Sequence, residues 1–144
     1  MLNTASIGDI GESMAIMKFI KNEFIVSKPL SNNSRYDLIV EKNNILYKVQ
    51  VKTTQNIKDE VKMDFALKTT NYSKGKWKST GYTLNEIDLF FLYCIENDWC
   101  GLYIVNEDIP KNITVRLKPP KNNQIKGINL AENFEFENQL KKLI

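Results

Sequence analysis

The chain has 144 residues, 42% hydrophobic and 26% charged, which is enough for one domain with a real core and too apolar for intrinsic disorder. It contains no histidine, and this excludes Ser-His-Asp and Cys-His nucleophiles, His-metal hydrolytic centres and Cys2His2 zinc sites. The net charge of +3 is unevenly placed: residues 1–40 are neutral, residues 41–82 carry +5 and residues 83–144 carry −2. The 18 lysines against 2 arginines, with 17 Asn and 16 Ile, are the residues of A/T-rich codons, so lysine abundance alone says little. The basic middle third is more informative, because it suits a polyanionic partner.

No run of 18 apolar residues exists, so no membrane-spanning helix is expected. Residues 1–13 lack a basic n-region and an apolar h-region, which predicts no signal peptide and a cytoplasmic location. Cys94 and Cys100 are too few for a closed zinc site and are expected as reduced, structural thiols.

In chain order, Ile7, Ile10, Met14, Met17 and Lys21 follow helical spacing, with Thr4 or Ser6 as the expected cap. Residues 24–28 read as a short strand ended by Pro29, and residues 31–34 as loop. Residues 36–42 and 45–53 read as strands joined by Asn43-Asn44, a pair that tolerates positive φ in a two-residue hairpin turn. That turn sets the register: facing residues have numbers summing to 87, so Asp37 faces Gln50, Lys52 follows on the same face, and Val49 and Val51 point into the core. Tyr36 is expected on the face opposite Asp37.

Residues 56–70 suggest another strand and residues 71–81 a lysine-rich loop with two aromatics. Residues 89–95 are almost wholly apolar, as in a strand buried on both faces, and residues 99–105 are its expected partner across an Asn97-Asp98 turn. Residues 113–118 form a further strand, residues 121–127 a loop, and residues 131–144 a helix anchored by Phe134, Leu140 and Leu143. The reading is one α/β domain with a central mixed β-sheet flanked by helices.

Glu12, Asp37, Gln50 and Lys52 stand apart from this background. A divalent magnesium ion takes hard oxygen ligands and only one or two carboxylates, with water and phosphate completing the shell. Asp37 offers a carboxylate, Gln50 an amide oxygen, Val51 a backbone carbonyl, and Glu12 reaches the same place if the first helix crosses the sheet edge. Lys52 then sets a cation beside a scissile phosphate. A plain solvated strand face shows the same residue types, and the residues alone leave both readings open. Lys74, Lys76, Trp77 and Lys78 interleave cations with an aromatic, which suits phosphate contact and stacking as well as a solvated loop. Arg35 precedes the Asp37 strand. The Lys121, Asn122, Asn123 and Gln124 side chains can bond either loop backbone or phosphate.

The ordered segments GDIGE (8–12), SNNSRYDLIV (31–40) and LYKVQVKTT (46–54) resemble the PD-(D/E)XK nuclease superfamily, whose signature is a helix Glu, a strand Asp, then Glu-x-Lys. Here Gln50 replaces the second acidic residue. That Gln-x-Lys form, with GYTLNEIDLFFLY (81–93) and VRLKPPKNNQIKGINLAENF (115–134), resembles the bacterial homing endonucleases encoded in group I introns. The resemblance implies a restriction-endonuclease-like core and a single nuclease domain over 1–144. Its core motifs lie at about 5–54, a DNA-contacting segment at about 55–82, and sheet completion with a C-terminal helix at 83–144.

It further implies Asp37 as principal metal ligand, Glu12 as a carboxylate at or just behind the metal, and Gln50 and the Val51 carbonyl at the remaining protein positions. Lys52 becomes the catalytic lysine, and Arg35, Lys74, Lys76, Trp77, Lys78, Lys121, Asn122, Asn123 and Gln124 face DNA. The cofactor expected is Mg2+, with Mn2+ substituting. The partners expected are double-stranded DNA and a second copy of the chain in a homodimer or homotetramer, with no membrane. The activity expected is a site-specific double-strand break. A Holliday-junction resolvase or an inactive DNA-binding module of the same fold are the rivals.

Overall fold

The computed structural model describes residues 1–143. An 18-residue helix, α1 (Thr4–Lys21), opens the chain. It starts at Asn3 rather than Thr4 or Ser6, because the Asn3 side chain accepts the Ser6 N–H at 2.8 Å and satisfies a free donor of the first turn. Then come β1 (Ile25–Ser27), β2 (Leu38–Lys42), β3 (Ile45–Thr54), β4 (Lys62–Ala66), β5 (Lys68–Ser73), β6 (Lys76–Gly81), β7 (Leu89–Cys94), β8 (Trp99–Ile104), β9 (Asn112–Arg116) and β10 (Asn129–Leu130). A 3-10 turn (Ala131–Asn133) and a five-residue helix, α2 (Phe136–Leu140), close it.

The main sheet has the order β1-β2-β3-β7-β8, with β3 and β7 parallel and every other pair antiparallel. Strand β7 lies inside the sheet and is buried along its whole length, as its apolar run requires. Alternation along the central strands builds two cores. Val49, Val51, Leu89, Phe91 and Tyr93 meet Ala15 and Phe19 of α1 and Phe136 and Leu140 of α2. Phe90, Leu92 and Cys94 meet Met63, Phe65 and Val115 from the small sheet β10-β9-β4. Helices therefore cover one face only, and strands cover the other.

Two expectations need correction. Residues 71–81 are not a loop: β5 and β6 pair in full antiparallel register from Lys68↔Gly81 to Ser73↔Lys76, around Lys74 (φ 53°) and Gly75 (φ 75°). Both faces are polar and open to solvent, so no hydrophobic alternation marks this hairpin in the sequence. The C-terminal segment is not one helix either. The Phe134 carbonyl accepts Leu102 N–H, and the Glu135 carboxylate takes Glu137 and Asn138 N–H, so the helix restarts at that cap with Phe136 as its fully buried anchor. Leu140 is buried, Phe134 and Leu143 are partly so, and Ile144 lies outside the described residues. Cys94 and Cys100 are buried and unpaired. Among the described residues, no helix is long and apolar enough to cross a membrane.

Candidate active site

The β2–β3 hairpin turns at Asn43 (φ 54°) and Asn44 (φ 66°), and its pairs run from Lys42↔Ile45 to Leu38↔Val49 in the expected register. Past Leu38 the regular ladder stops. Asp37 N–H donates to the Val49 carbonyl at 2.8 Å, and Asp37 Oδ2 accepts Val51 N–H at 2.9 Å. The first contact is one residue off the hairpin register, so the expected Asp37–Gln50 pair does not form; Asp37 shares Val49 with Leu38 and its carboxylate reaches past residue 50 to Val51, while Gln50 stays outside the cleft lining. Val49 N–H and C=O point toward β2, so by the two-residue period those of Val51 point to the same edge, where β2 has already ended. The Val51 carbonyl thus faces the edge that its N–H shares with Asp37.

Gly11 sets how near the helix comes. A Cβ at this position would lie 1.7 Å from Thr53 Oγ1, so only glycine lets α1 press this closely on β3. The next residue, Glu12, then lines one open cleft of about 250 Å³ with Lys28, Ser34, Tyr36 and Asp37. Glu12 is ion-paired with Lys28 across it. Tyr36 shares this cleft with Asp37 instead of facing the other way, because residues 35–37 lie outside the regular strand, and its ring also packs on the second core.

Lys52 stands outside the lining of that cleft, near enough to Asp37 for their charges to interact. Its face of β3 otherwise meets Phe90 and Leu92 of β7, so the lysine stem is half-buried. Its Nζ donates to the Lys68 carbonyl at 3.1 Å and lies 5.0 Å from the centre of the Tyr82 ring. Burial lowers the Lys52 pKa against the opposing pull of Asp37, and the Arg35 charge lowers it further. Burial raises the Asp37 pKa and Glu12 adds to that, while the Val51 N–H and the Lys52 and Lys28 cations oppose it. Asp37 is therefore the joint between a cleft with Glu12 and a half-buried cation site with Lys52.

The other expected contact residues fall in three places. Lys74 sits at the tip of the β5–β6 hairpin, and Lys76, Trp77 and Lys78 lie on β6. Alternation separates them: Lys76 and Lys78 share one face with Asn71 and Ser73, whereas Trp77 packs at a tilt on Tyr72 on the other, ring centres 5.1 Å apart. In the 121–124 loop, Asn122 Oδ1 accepts Gln124 N–H and Gln124 Nε2 donates to the Lys126 carbonyl; Lys121 and Asn123 are exposed. Arg35 turns inward, to Glu86, Thr69 and the Gly81 carbonyl. Lys28 and Tyr82, which the sequence reading did not single out, border the site. Neither carries a local signal, since only the tertiary fold brings them to Asp37 and Lys52.

A larger groove of about 440 Å³ lies between α1 and α2, but it brings none of Glu12, Asp37, Gln50 or Lys52 together. No group of three or more Asp, Glu or Cys side chains poised for a metal occurs among the described residues. Asp37 adjoins Glu12 in the cleft, with Lys28 and Lys52 as the nearby cations.

Glu12 on α1, Asp37 just before β2 and Lys52 on β3 keep the order of the signature that the sequence resembles, that of nucleases of the restriction-enzyme type. The family model described as PD-(D/E)XK endonuclease matches residues 2–137, and the chain belongs to that family. Among solved structures it is similar to a bacterial homing endonuclease, I-Ssp6803I, with TM-score 0.75 and 26% identity, covering 99% of this chain and 94% of that one. No match is found among curated proteins. The chain is thus a nuclease, and nucleases of this family generally use divalent metals.

Proposed function

We propose that this chain is a homing-type DNA endonuclease that hydrolyses phosphodiester bonds with Mg2+, or Mn2+ in its place, at Asp37. The carrying observation is that the Asp37 carboxylate, one oxygen fixed by Val51 N–H, shares a cleft with Glu12 and feels the half-buried Lys52 cation. This donor set fits a hard cation. Asp37 supplies the carboxylate, Gln50 and the Val51 carbonyl supply neutral oxygens, and Glu12 stands beyond, held by Lys28. A bound ion would supply Lewis acidity at the phosphoryl oxygen and an acidified water.

The chain's own groups do the rest. Lys52, as a cation, orients the attacking water and stabilises charge gathering on the pentacovalent phosphorus. Water adds to phosphorus and releases a proton to solvent, the bond to the 3′-oxygen breaks and that oxygen takes a proton from solvent, leaving 5′-phosphate and 3′-hydroxyl ends. The exposed lysines of β6 and of the 121–124 loop supply the salt-dependent grip on double-stranded DNA. A site of this kind cuts one strand, so a double-strand break at a defined target calls for a homodimer or homotetramer on a pseudo-palindromic sequence.

The test is incubation with a randomised-sequence plasmid library and Mg2+, followed by sequencing of the ends. Recurrent ends at one sequence, absent in EDTA and with Lys52→Ala, are expected. Four-way-junction cleavage without linear product would instead mark a resolvase, and no product with Mg2+ or Mn2+ would mark a binding-only module.

A further inference from the structure

We propose that Arg35 and Tyr82 are positioning residues that lock Lys52 to the base of the β5–β6 hairpin, so that cleavage depends on a link between the DNA-facing hairpin and the catalytic lysine. The inference rests on the nuclease reading above.

The hairpin belongs to neither larger sheet, and it is exposed over most of both strands. Its base is gripped strand by strand. Lys68 and Gly81 are the cross-strand pair that closes it. Lys52 Nζ holds the Lys68 carbonyl at 3.1 Å, and Arg35 Nη2 holds the Gly81 carbonyl at 2.6 Å. Arg35 also donates through Nη1 to Thr69 Oγ1 and through Nε to Glu86 Oε2, both at 3.0 Å, which engages all three guanidinium nitrogens. The residue that grips one strand is therefore the catalytic lysine, and the residue that grips the other lies two positions before Asp37.

Tyr82 joins the two grips. It directly follows Gly81, is only 5% exposed, and sets its ring edge-on to Phe90 at 5.5 Å. The Arg35 guanidinium lies 4.3 Å from the ring centre and the Lys52 ammonium 5.0 Å. Both cations lie over the ring and meet its negative π-cloud, half-buried, and their shared attraction to it offsets their mutual repulsion and helps fix both in place. The Tyr82 hydroxyl is buried without a partner, so the tyrosine is held for its ring. A side chain as long and mobile as lysine is otherwise poorly fixed, and a displacement of ~1 Å at a reacting group lowers a rate by roughly 10²-fold.

The experiment measures single-turnover cleavage of the target duplex in Mg2+ and duplex affinity in Ca2+, each well below the melting temperature of every variant. Arg35→Met and Tyr82→Leu are expected to slow cleavage by roughly 10²-fold with affinity nearly unchanged. Arg35→Lys does not rescue, because an ammonium cannot make the three-way fork. Tyr82→Phe, which keeps the ring, restores nearly the wild-type rate.

A wild-type rate in Arg35→Met beside a dead Lys52→Met overturns the positioning role and leaves the nuclease reading standing. A wild-type rate in Lys52→Met overturns both. Equal loss in Tyr82→Phe and Tyr82→Leu assigns the work to the hydroxyl and also overturns the lock. A loss of affinity at unchanged rate does so too, since it makes Arg35 a mere anchor for the hairpin. Should Arg35→Met not fold, Tyr82→Leu decides on the same criteria.

Discussion

The β2–β3 and β5–β6 hairpins turn in the same way, through two residues of positive φ, Asn43-Asn44 in one and Lys74-Gly75 in the other. Their surroundings are opposite. The first lies inside the main sheet with Leu38, Val40 and Val49 fully buried, whereas the second exposes Tyr72 at 61% and Trp77 at 73%. Local turn chemistry makes a hairpin in both cases, and burial decides what each is good for. A buried hairpin fixes side chains to the tolerance that chemistry needs. An exposed one stays free to follow a partner's surface, because little apolar contact resists its opening.

The largest expected effect breaks the comparison at its catalytic end. Asp37→Asn lowers cleavage by roughly 10²-fold or more, since a charged group at the reacting centre is lost. It should not lower stability, because the amide oxygen can still accept Val51 N–H. The sign runs the other way. Burial raises the Asp37 pKa in the folded chain, so stability from this group is fully present below the unfolded value near 3.8 and is lost as pH rises through the folded pKa. Melting in EDTA should therefore show Asp37→Asn above wild type at pH 7 and level with it below the unfolded value. A variant that melts lower at pH 7 would make Asp37 a structural residue.

What could be read in advance follows from the same contrast. Strand β7 and the β2–β3 register from Lys42 to Leu38 were legible because apolar alternation and an Asn-Asn turn leave one solution; the expected Asp37–Gln50 pair was not met, because the ladder ends at Leu38 and Asp37 bonds Val49 instead. The β5–β6 hairpin was not, because KTTNYS and KWKSTG carry β-forming Thr, Tyr and Trp with no buried face to impose a period. Reading 74–78 as one interleaved patch failed to separate Lys76 and Lys78 from Trp77, a separation that only strand pairing creates. The inward turn of Arg35 depends on contacts 34 to 51 residues away in the chain, and the place of Tyr82 beside Arg35 and Lys52 is as non-local, so no local pattern encodes either.

The turns give the next effect. Asn44→Val puts a β-branched residue at φ 66°, costing about 1–2 kcal/mol in a hairpin the whole sheet depends on. Melting should fall by roughly 3–8 °C. Gly75→Val meets no neighbour within 4 Å but takes the same backbone strain at φ 75°. There the cost is local: the global melt should move by less than about 0.5 kcal/mol, while amide exchange in β5 and β6 speeds up and DNA affinity drops. Equal global losses would mean that the exposed hairpin unfolds with the core.

A smaller effect separates the two faces of the exposed hairpin. If Lys76 and Lys78 each neutralise one phosphate, replacing both with Ala should reduce the log–log salt slope of DNA binding by about 1.8. Trp77→Ala should leave that slope alone and weaken binding evenly at every salt concentration. A slope change for Trp77→Ala equal to that of the lysine pair would mean that the two faces do not act separately.

The finest distinction places the same new charge in each hairpin. Gln50→Glu sets a carboxylate between Val49 and Val51, the two residues that Asp37 bonds, and burial already raises the Asp37 pKa. The like-charge pair should destabilise the metal-free chain by about 0.2–1 kcal/mol at pH 7. Both carboxylates lose charge as pH falls through their raised pKa values, so the deficit should close in acid. Added Ca2+ should also close it, with ion affinity falling in the order Glu, Gln, Ala at position 50. Asn71→Glu does the reverse, since its cross-strand partner is Lys78 and an opposite-charge pair favours the hairpin by a similar amount. It should slow amide exchange locally and still weaken DNA binding, because it takes up one lysine of the exposed basic face. Melting in EDTA and in Ca2+, with hydrogen exchange on β5 and β6, reads all of this. Two variants shifting stability with the same sign, or Ca2+ binding alike to Glu, Gln and Ala at position 50, would remove Gln50 from the ion's surroundings and leave Asp37 as the only protein charge acting there from this hairpin.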